Sequence, residues 1–128
     1  MGDRVSISFK SGGEESVALF SQYGGAGLVE DAKAYAEELK ARKVSADGKN
    51  PLDRLEPRVV MIDFIRHLTK DMPEVGGDFY LGRDDTDGDN DDNGHYVIDL
   101  SGSAVTTTQR NPAARQFLKG CFGWFLRR

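Results

Sequence analysis

Arg4-Val5-Ser6-Ile7-Ser8-Phe9-Lys10 alternates polar and apolar side chains without a break. A period of two puts every second side chain on the same face, so the stretch reads as a strand with one buried face. Ser11-Gly12-Gly13 follows as a turn. Val17-Ala18-Leu19-Phe20 then forms the heart of a second strand over residues 16–22, apolar enough to lie inside a sheet. Two strands joined by a short Gly-rich turn predict an antiparallel hairpin.

Outward from that hairpin the period changes. Leu28, Ala32, Tyr35, Ala36 and Leu39 share one face at helical spacing, which predicts a helix over 28–43. Glu30 and Asp31 would sit in its first turn and Lys40, Arg42 and Lys43 in its last, both favourable to the helix dipole. Asp47-Gly48 and Asn50-Pro51 mark turns, and Pro57 suits the first turn of a second helix running to Asp71. Met61, Phe64, Ile65, Leu68 and Met72 form its apolar stripe, and Pro73 with Gly76-Gly77 ends it. Phe79-Tyr80-Leu81 reads as a third strand. A fourth alternates Tyr96, Ile98 and Leu100 with His95, Val97 and Asp99. These two strands are expected to form a second hairpin with an acidic loop at its tip. Residues 104–109 add a short edge strand, and Asn111-Pro112 opens a last helix. The order ββ-α-α-ββ predicts an α+β domain over residues 1–128. Its sheet is mainly antiparallel, built from two hairpins, with helices packed on one face.

The composition fits one globular domain: 128 residues, 38% hydrophobic and 30% charged. A net charge of −4 speaks against a general nucleic-acid binder. The charge is unevenly spread. Residues 84–92 carry six Asp and no basic residue, whereas 100–128 carry Arg110, Arg115, Lys119, Arg127 and Arg128 and no acidic one. The lone Cys121 lies among Phe122, Trp124 and Phe125 and reads as an inert buried thiol. No secretory leader and no membrane span is expected, which makes the cytoplasm the default location.

Arg83-Asp84-Asp85-Thr86-Asp87-Gly88-Asp89-Asn90-Asp91-Asp92-Asn93-Gly94 is the strongest local signal. Asp85, Asp87, Asp89 and Asp91 recur at every second position, and crowded carboxylates either stay solvated or gather around a cation. Calcium, which takes six to eight oxygens in flexible geometry, is the natural candidate. The spacing matches the first half of an EF-hand loop and then fails, with Asn90 at the sixth position and Tyr96 at the twelfth. The alternatives are a solvated turn, for which Asp, Asn and Gly are the usual residues, and recognition of a partner.

Other motifs are weaker. Ser21–Leu28 is Gly-rich and opens a helix, which suits either a tight turn or an anion cradle. Asp63 and His67, four apart, are placed to pair on one helix face. His95 borders the aspartates, which would favour its charged form. No Gly-x-Ser-x-Gly elbow is present.

The opening Met1-Gly2-Asp3-Arg4, the hairpin, and Phe20-Ser21-Gln22-Tyr23-Gly24-Gly25 at the end of the second strand resemble a family of small uncharacterised proteins from prokaryotes and their phages. In that family the corresponding motif is Tyr-Thr/Ser-His-Trp-Gly-Gly. A later strand ends in a hydrophobic-Asp pair, as Ile98-Asp99 does here. Gln22 and Tyr23 stand where the family has His and Trp, and the resemblance implies no particular activity.

The expected function is a non-catalytic binding or regulatory module with a calcium-binding loop at Asp85, Asp87, Asp89 and Asp91. The alternative is a divalent-metal-dependent hydrolase using that loop and His95. The aromatic and basic segment Phe117–Arg128 is expected to pack on the core or at a homodimer interface, the alternative being a membrane surface.

Overall fold

The computed structural model describes residues 2–42, 44–72, 74 and 78–110. Six strands form a mixed sheet: β1 (Val5–Ser11), β2 (Glu14–Glu15), β3 (Ala18–Ser21), β4 (Phe79–Gly82), β5 (His95–Asp99) and β6 (Thr106–Arg110). Two helices, α1 (Gly25–Ala41) and α2 (Pro57–Thr69), lie between β3 and β4 in the chain. The strand order is β4-β3-β1-β5-β6, with β2 paired to β1 as an extension of the first hairpin. The α+β class therefore holds. The helix expected from Asn111, Cys121 and the segment Phe117–Arg128 lie outside the described residues.

β1 is the central strand, and its alternation separates two faces. Val5, Ile7 and Phe9 point toward the helices. Ser6 and Ser8 point the other way, yet all five are fully buried. Phe9 meets the edge of Phe64 of α2 at 5.5 Å and Tyr35 of α1 at 6.0 Å between ring centroids. Leu28, Ala32, Tyr35, Ala36 and Leu39 of α1 join that core as one face, as their spacing requires. From α2 it is Pro57, Val60, Met61 and Phe64 that are buried, while Met72 lies past the helix end and is exposed. Because α1 begins at Gly25, Glu30 and Asp31 sit in its second turn and not its first.

The second strand differs from its expected continuous form. Lys10 pairs with Glu15, but Ile7 pairs with Leu19, so one extra residue is inserted between β2 and β3. Such a bulge disturbs the ladder locally. Ser16 repairs it: its N–H donates to the Phe9 carbonyl at 2.8 Å, and its hydroxyl accepts the Phe9 N–H at 3.0 Å.

The larger correction concerns β4 and β5, which do not form a hairpin. β4 pairs antiparallel with β3, whereas β5 pairs parallel with β1, Ser6 opposite His95 through Lys10 opposite Asp99. β6 then covers the outer side of β5 in antiparallel register. The physical reason is burial. His95 and Val97 are buried on one face and Ile98 on the other, which demands an interior position beside β1. The connection is also long, since hairpin loops usually take about two to five residues. Residues 83–94 instead cross three strand spacings, roughly 14 Å.

Candidate functional site

The crossing segment 83–94 runs over the face of the sheet opposite the helices. Gly88 lies against the rings of Phe20 and Tyr80, which stack in parallel at 5.0 Å on that face. It is a strap and not a hairpin tip, and the carboxylates of Asp85, Asp87, Asp89 and Asp92 are directed to arginines, while Asp84 accepts from Thr86. Arg4 donates Nε to Asp92 Oδ2 at 2.9 Å, Nη2 to Asp92 Oδ1 at 3.1 Å and Nη1 to Asp89 Oδ2 at 2.5 Å. Hydrogen bonds from the Arg4 side chain and backbone hold the Asp92 carboxyl down at about 2. Asp87 accepts the backbone N–H and Nε of Arg83, and these bonds lower its carboxyl too. The nearly buried Asp85 has Oδ2 3.7 Å from Arg110 Nη1. Asp91 donates its backbone N–H to Asp89 Oδ1 at 3.3 Å. Of the four aspartates expected to share a calcium ion, Asp85, Asp87 and Asp89 are thus turned to different arginines. Among the described residues, no three His, Cys, Asp or Glu side chains are grouped to hold a metal ion.

Beneath the strap lies a buried polar chain that the sequence did not announce. Asn90 donates Nδ2 to Ser6 Oγ at 2.8 Å and to the Asp85 carbonyl at 3.0 Å. Ser6 Oγ lies 2.7 Å from His95 Nδ1, and Ser8 Oγ lies 2.9 Å from His95 Nε2. Ser8 donates its hydroxyl to Glu15 Oε2 at 2.7 Å, and Arg110 holds the other Glu15 oxygen at 2.8 Å. Burial alone would raise the Glu15 carboxyl, but hydrogen bonds from Arg110 and Ser8 and the charge of Arg110 outweigh it, so the net shift is downward. Glu15 is therefore ionised and can only accept. For a neutral imidazole the protons then follow in order. Ser8 gives its one proton to Glu15 and accepts from His95 Nε2–H. Nδ1 then accepts from Ser6, which in turn accepts from Asn90. His95 faces these serines with both ring nitrogens and does not join the strap aspartates as a ligand set.

Strap, N-terminal arm and β4 enclose an open pocket of about 440 Å³ lined by Gly2, Arg4, Gln22, Tyr80 and Asp89. Tyr80 is 45% exposed, and its hydroxyl accepts the Asp89 N–H at 2.9 Å. A second hollow, about 250 Å³, lies on the helices beside Tyr35, Arg42, Asp63, Arg66 and His67. There Asp63 accepts the Tyr35 hydroxyl at 2.6 Å and Arg42 at 3.4 Å. Burial and then the Asp63 carboxylate raise the Tyr35 hydroxyl well above its ordinary value. The expected Asp63–His67 ion pair is not among those formed by the described residues; His67 packs its ring near Tyr35 at 5.6 Å.

The glycine loop resolves in favour of a turn. Asp78 Oδ1 accepts the backbone N–H groups of Gln22 and Tyr23, each at 3.1 Å, so the chain's own carboxylate fills the position an external anion would take. Gly25 has φ +52°, and the Asp3 carboxylate occupies the space its Cβ would need. Tyr23 and Asp99 lie at opposite ends of the sheet, as the pairs Val5–Ser21 and Lys10–Asp99 require.

Nothing matches this chain among family models, curated proteins or solved structures. The site therefore stands on its geometry. No helix among the described residues is long and apolar enough to cross a membrane.

Proposed function

We propose that the protein is a non-catalytic binding module that takes a cationic group, such as an arginine or lysine side chain of a partner, into the pocket between Arg4, Gln22, Tyr80 and Asp89. The observation that carries this reading is the Tyr80 ring. It is stacked on the buried Phe20 and leaves about half of its surface open beside the Asp89 carboxylate. An aromatic face attracts a cation by about 0.5–1 kcal/mol at an exposed site. The surrounding potential adds to it, because six aspartates outnumber Arg83, Arg4 and Arg110 and leave the strap with its arginine partners at net −3. Arg4 offsets part of the aspartate charge through its pairs with Asp89 and Asp92 and leaves the strap acidic. Catalysis by the Ser6–His95–Ser8 group is disfavoured because all three side chains are fully buried and saturated with hydrogen bonds.

A single cationic group held this way would bind at about millimolar dissociation constant, or about 4 kcal/mol. The test is NMR titration with acetyl-arginine amide and, separately, acetyl-glutamate amide. Saturable shifts at Tyr80 and Gln22 with the arginine probe alone, lost in Tyr80→Ala, support the reading. Equal responses to both probes, or none at 20 times the expected constant (about 20 mM), overturn it.

A further inference from the structure

We infer that the open edge of β4 takes an extended peptide as an added antiparallel strand, with an arginine or lysine opposite Tyr80 and an apolar residue on either side of it. This deepens the cation-binding reading of the Tyr80 pocket and rests on it, naming the partner that would deliver the cation.

β4 lies at one end of the strand order, with β3 on its inner side and no strand on its outer side among the described residues. The register shows which backbone groups face outward. Gln22 and Asp78 stand opposite each other, next after the pair Ser21–Phe79, and the Gln22 N–H donates to the Asp78 carbonyl at 3.1 Å. Hydrogen-bonded and open pairs alternate along an antiparallel ladder. Tyr80 and Gly82 therefore turn their backbone groups inward to Phe20 and Ala18, whereas Phe79 and Leu81 turn theirs outward. None of those outward N–H and C=O groups bonds a described residue. An unpaired row of this kind is a template for another strand.

The side chains decide what that strand carries. Phe79 and Leu81 lie on the helix face; Phe79 packs on the core, and Leu81 is 54% exposed. Tyr80 lies on the strap face. Its ring is stacked on Phe20, which comes from β3, so its second face turns to the open edge. In an added strand the residue opposite Tyr80 points to the strap face and its two neighbours to the helix face. That open pair is also the closer one, with Cα atoms about 4.5 Å apart. A long cationic side chain there lies along the Tyr80 ring and reaches toward Asp89, whose N–H bonds the Tyr80 hydroxyl at 2.9 Å. The apolar neighbours cover Leu81 and Phe79. Main-chain bonds give the affinity, and the alternating side chains give the selectivity.

Charge favours such a peptide over a second copy of this chain. The strap with its arginine partners carries net −3, which attracts a cationic peptide. Two β4 edges paired about a twofold axis would bring two acidic straps together. The other edge strand, β6, offers Thr106, Thr107, Thr108 and Gln109, with no aromatic ring for a cation and no apolar side chain to cover.

The experiment titrates the intact chain with acetyl-Thr-Val-Arg-Val-Thr amide and reads NMR shifts and amide exchange. The peptide is expected to bind about tenfold more tightly than acetyl-arginine amide, through the added hydrogen bonds. Exchange at the Phe79 and Leu81 amides is expected to slow about tenfold, with Tyr80 and Gly82 little changed. N-Methylation of both valines, whose N–H groups face β4 in antiparallel pairing, is expected to remove the gain. N-Methylation of the arginine, whose N–H faces solvent, is expected to keep it, and glutamine in place of the arginine is expected to lose it. All these changes lie in the peptide, so the fold is untouched. A peptide no tighter than acetyl-arginine amide, where the latter binds, overturns the added strand and leaves the pocket reading standing; failure of both probes overturns both. Full binding by the N-methylvaline or the glutamine peptide also overturns the proposal. So does protection of the Phe79 and Leu81 amides in the free chain equal to that of Tyr80, whether from another part of the chain or from self-association.

Discussion

Asn90 reaches down from the acidic strap to the Ser6 hydroxyl at 2.8 Å, joining residues from a loop and a central strand beneath a surface rich in carboxylates. Both side chains are almost wholly buried. Asn90→Ala removes two donors at once and leaves the Asp85 carbonyl and Ser6 short of a partner. A loss of about 1–3 kcal/mol is expected in urea unfolding, with little change in the slope against urea.

The Arg4–Asp92 pair gives a pH dependence of known sign. Asp92 is held at about 2 in the folded chain, below its ordinary value of 3.8. Its stabilising contribution is complete above the unfolded value and is lost as pH falls through about 2. Glu15, also lowered from 4.5, acts in the same direction. NMR titration of the Asp92 carboxyl is expected to show the low midpoint in the wild type and a return toward the ordinary value in Arg4→Met.

Phe64 stands where the two layers meet, fully buried against Phe9 and Tyr35. Phe64→Ala is expected to cost about 3–5 kcal/mol by thermal or urea melting, because the rings around it cannot collapse into the space.

Asp78 closes the turn before α1 by accepting two backbone N–H groups and the Ser21 hydroxyl. Replacing it with Ala is expected to destabilise by about 0.5–2 kcal/mol, the scale of a lost side-chain cap. Asp78→Asn, which keeps an oxygen acceptor, is expected to lose less. The comparison is made by chemical denaturation of the two variants.

Calcium is expected to leave the melting temperature of chelator-treated protein unchanged at millimolar concentration, since the carboxylates of Asp85, Asp87 and Asp89 are turned toward Arg110, Arg83 and Arg4. A site filled at 100 times its dissociation constant would add about 2.7 kcal/mol, which a melting curve detects easily. A rise of that size shows that the strap rearranges around the ion.

The layered fold was legible where periodicity is dictated by burial on one side. Val5, Ile7 and Phe9 announce a core-facing strand, and Leu28 through Leu39 announce a helix face. What the alternation hid is that Ser6 and Ser8 are buried too. A polar residue in a strand reads as outward, and only their small size hinted that something could lie over them. The strap itself was visible as composition but was misplaced as a hairpin tip, although its length already exceeded what a hairpin needs. The pairing of Glu15 with Arg110, and of Asn90 with Ser6, joins residues far apart in the chain and leaves no local pattern. Asp78 carried no signal beyond being one more surface carboxylate.

A double-mutant cycle on Ser6→Ala and Asn90→Ala, read by urea unfolding, tests most directly whether the acidic segment is fastened across the sheet. The two losses are expected to couple by about 0.5–3 kcal/mol, as for residues in one hydrogen-bonded network. Additivity within about 0.3 kcal/mol would show that Asn90 does not hold Ser6, and would contradict the account.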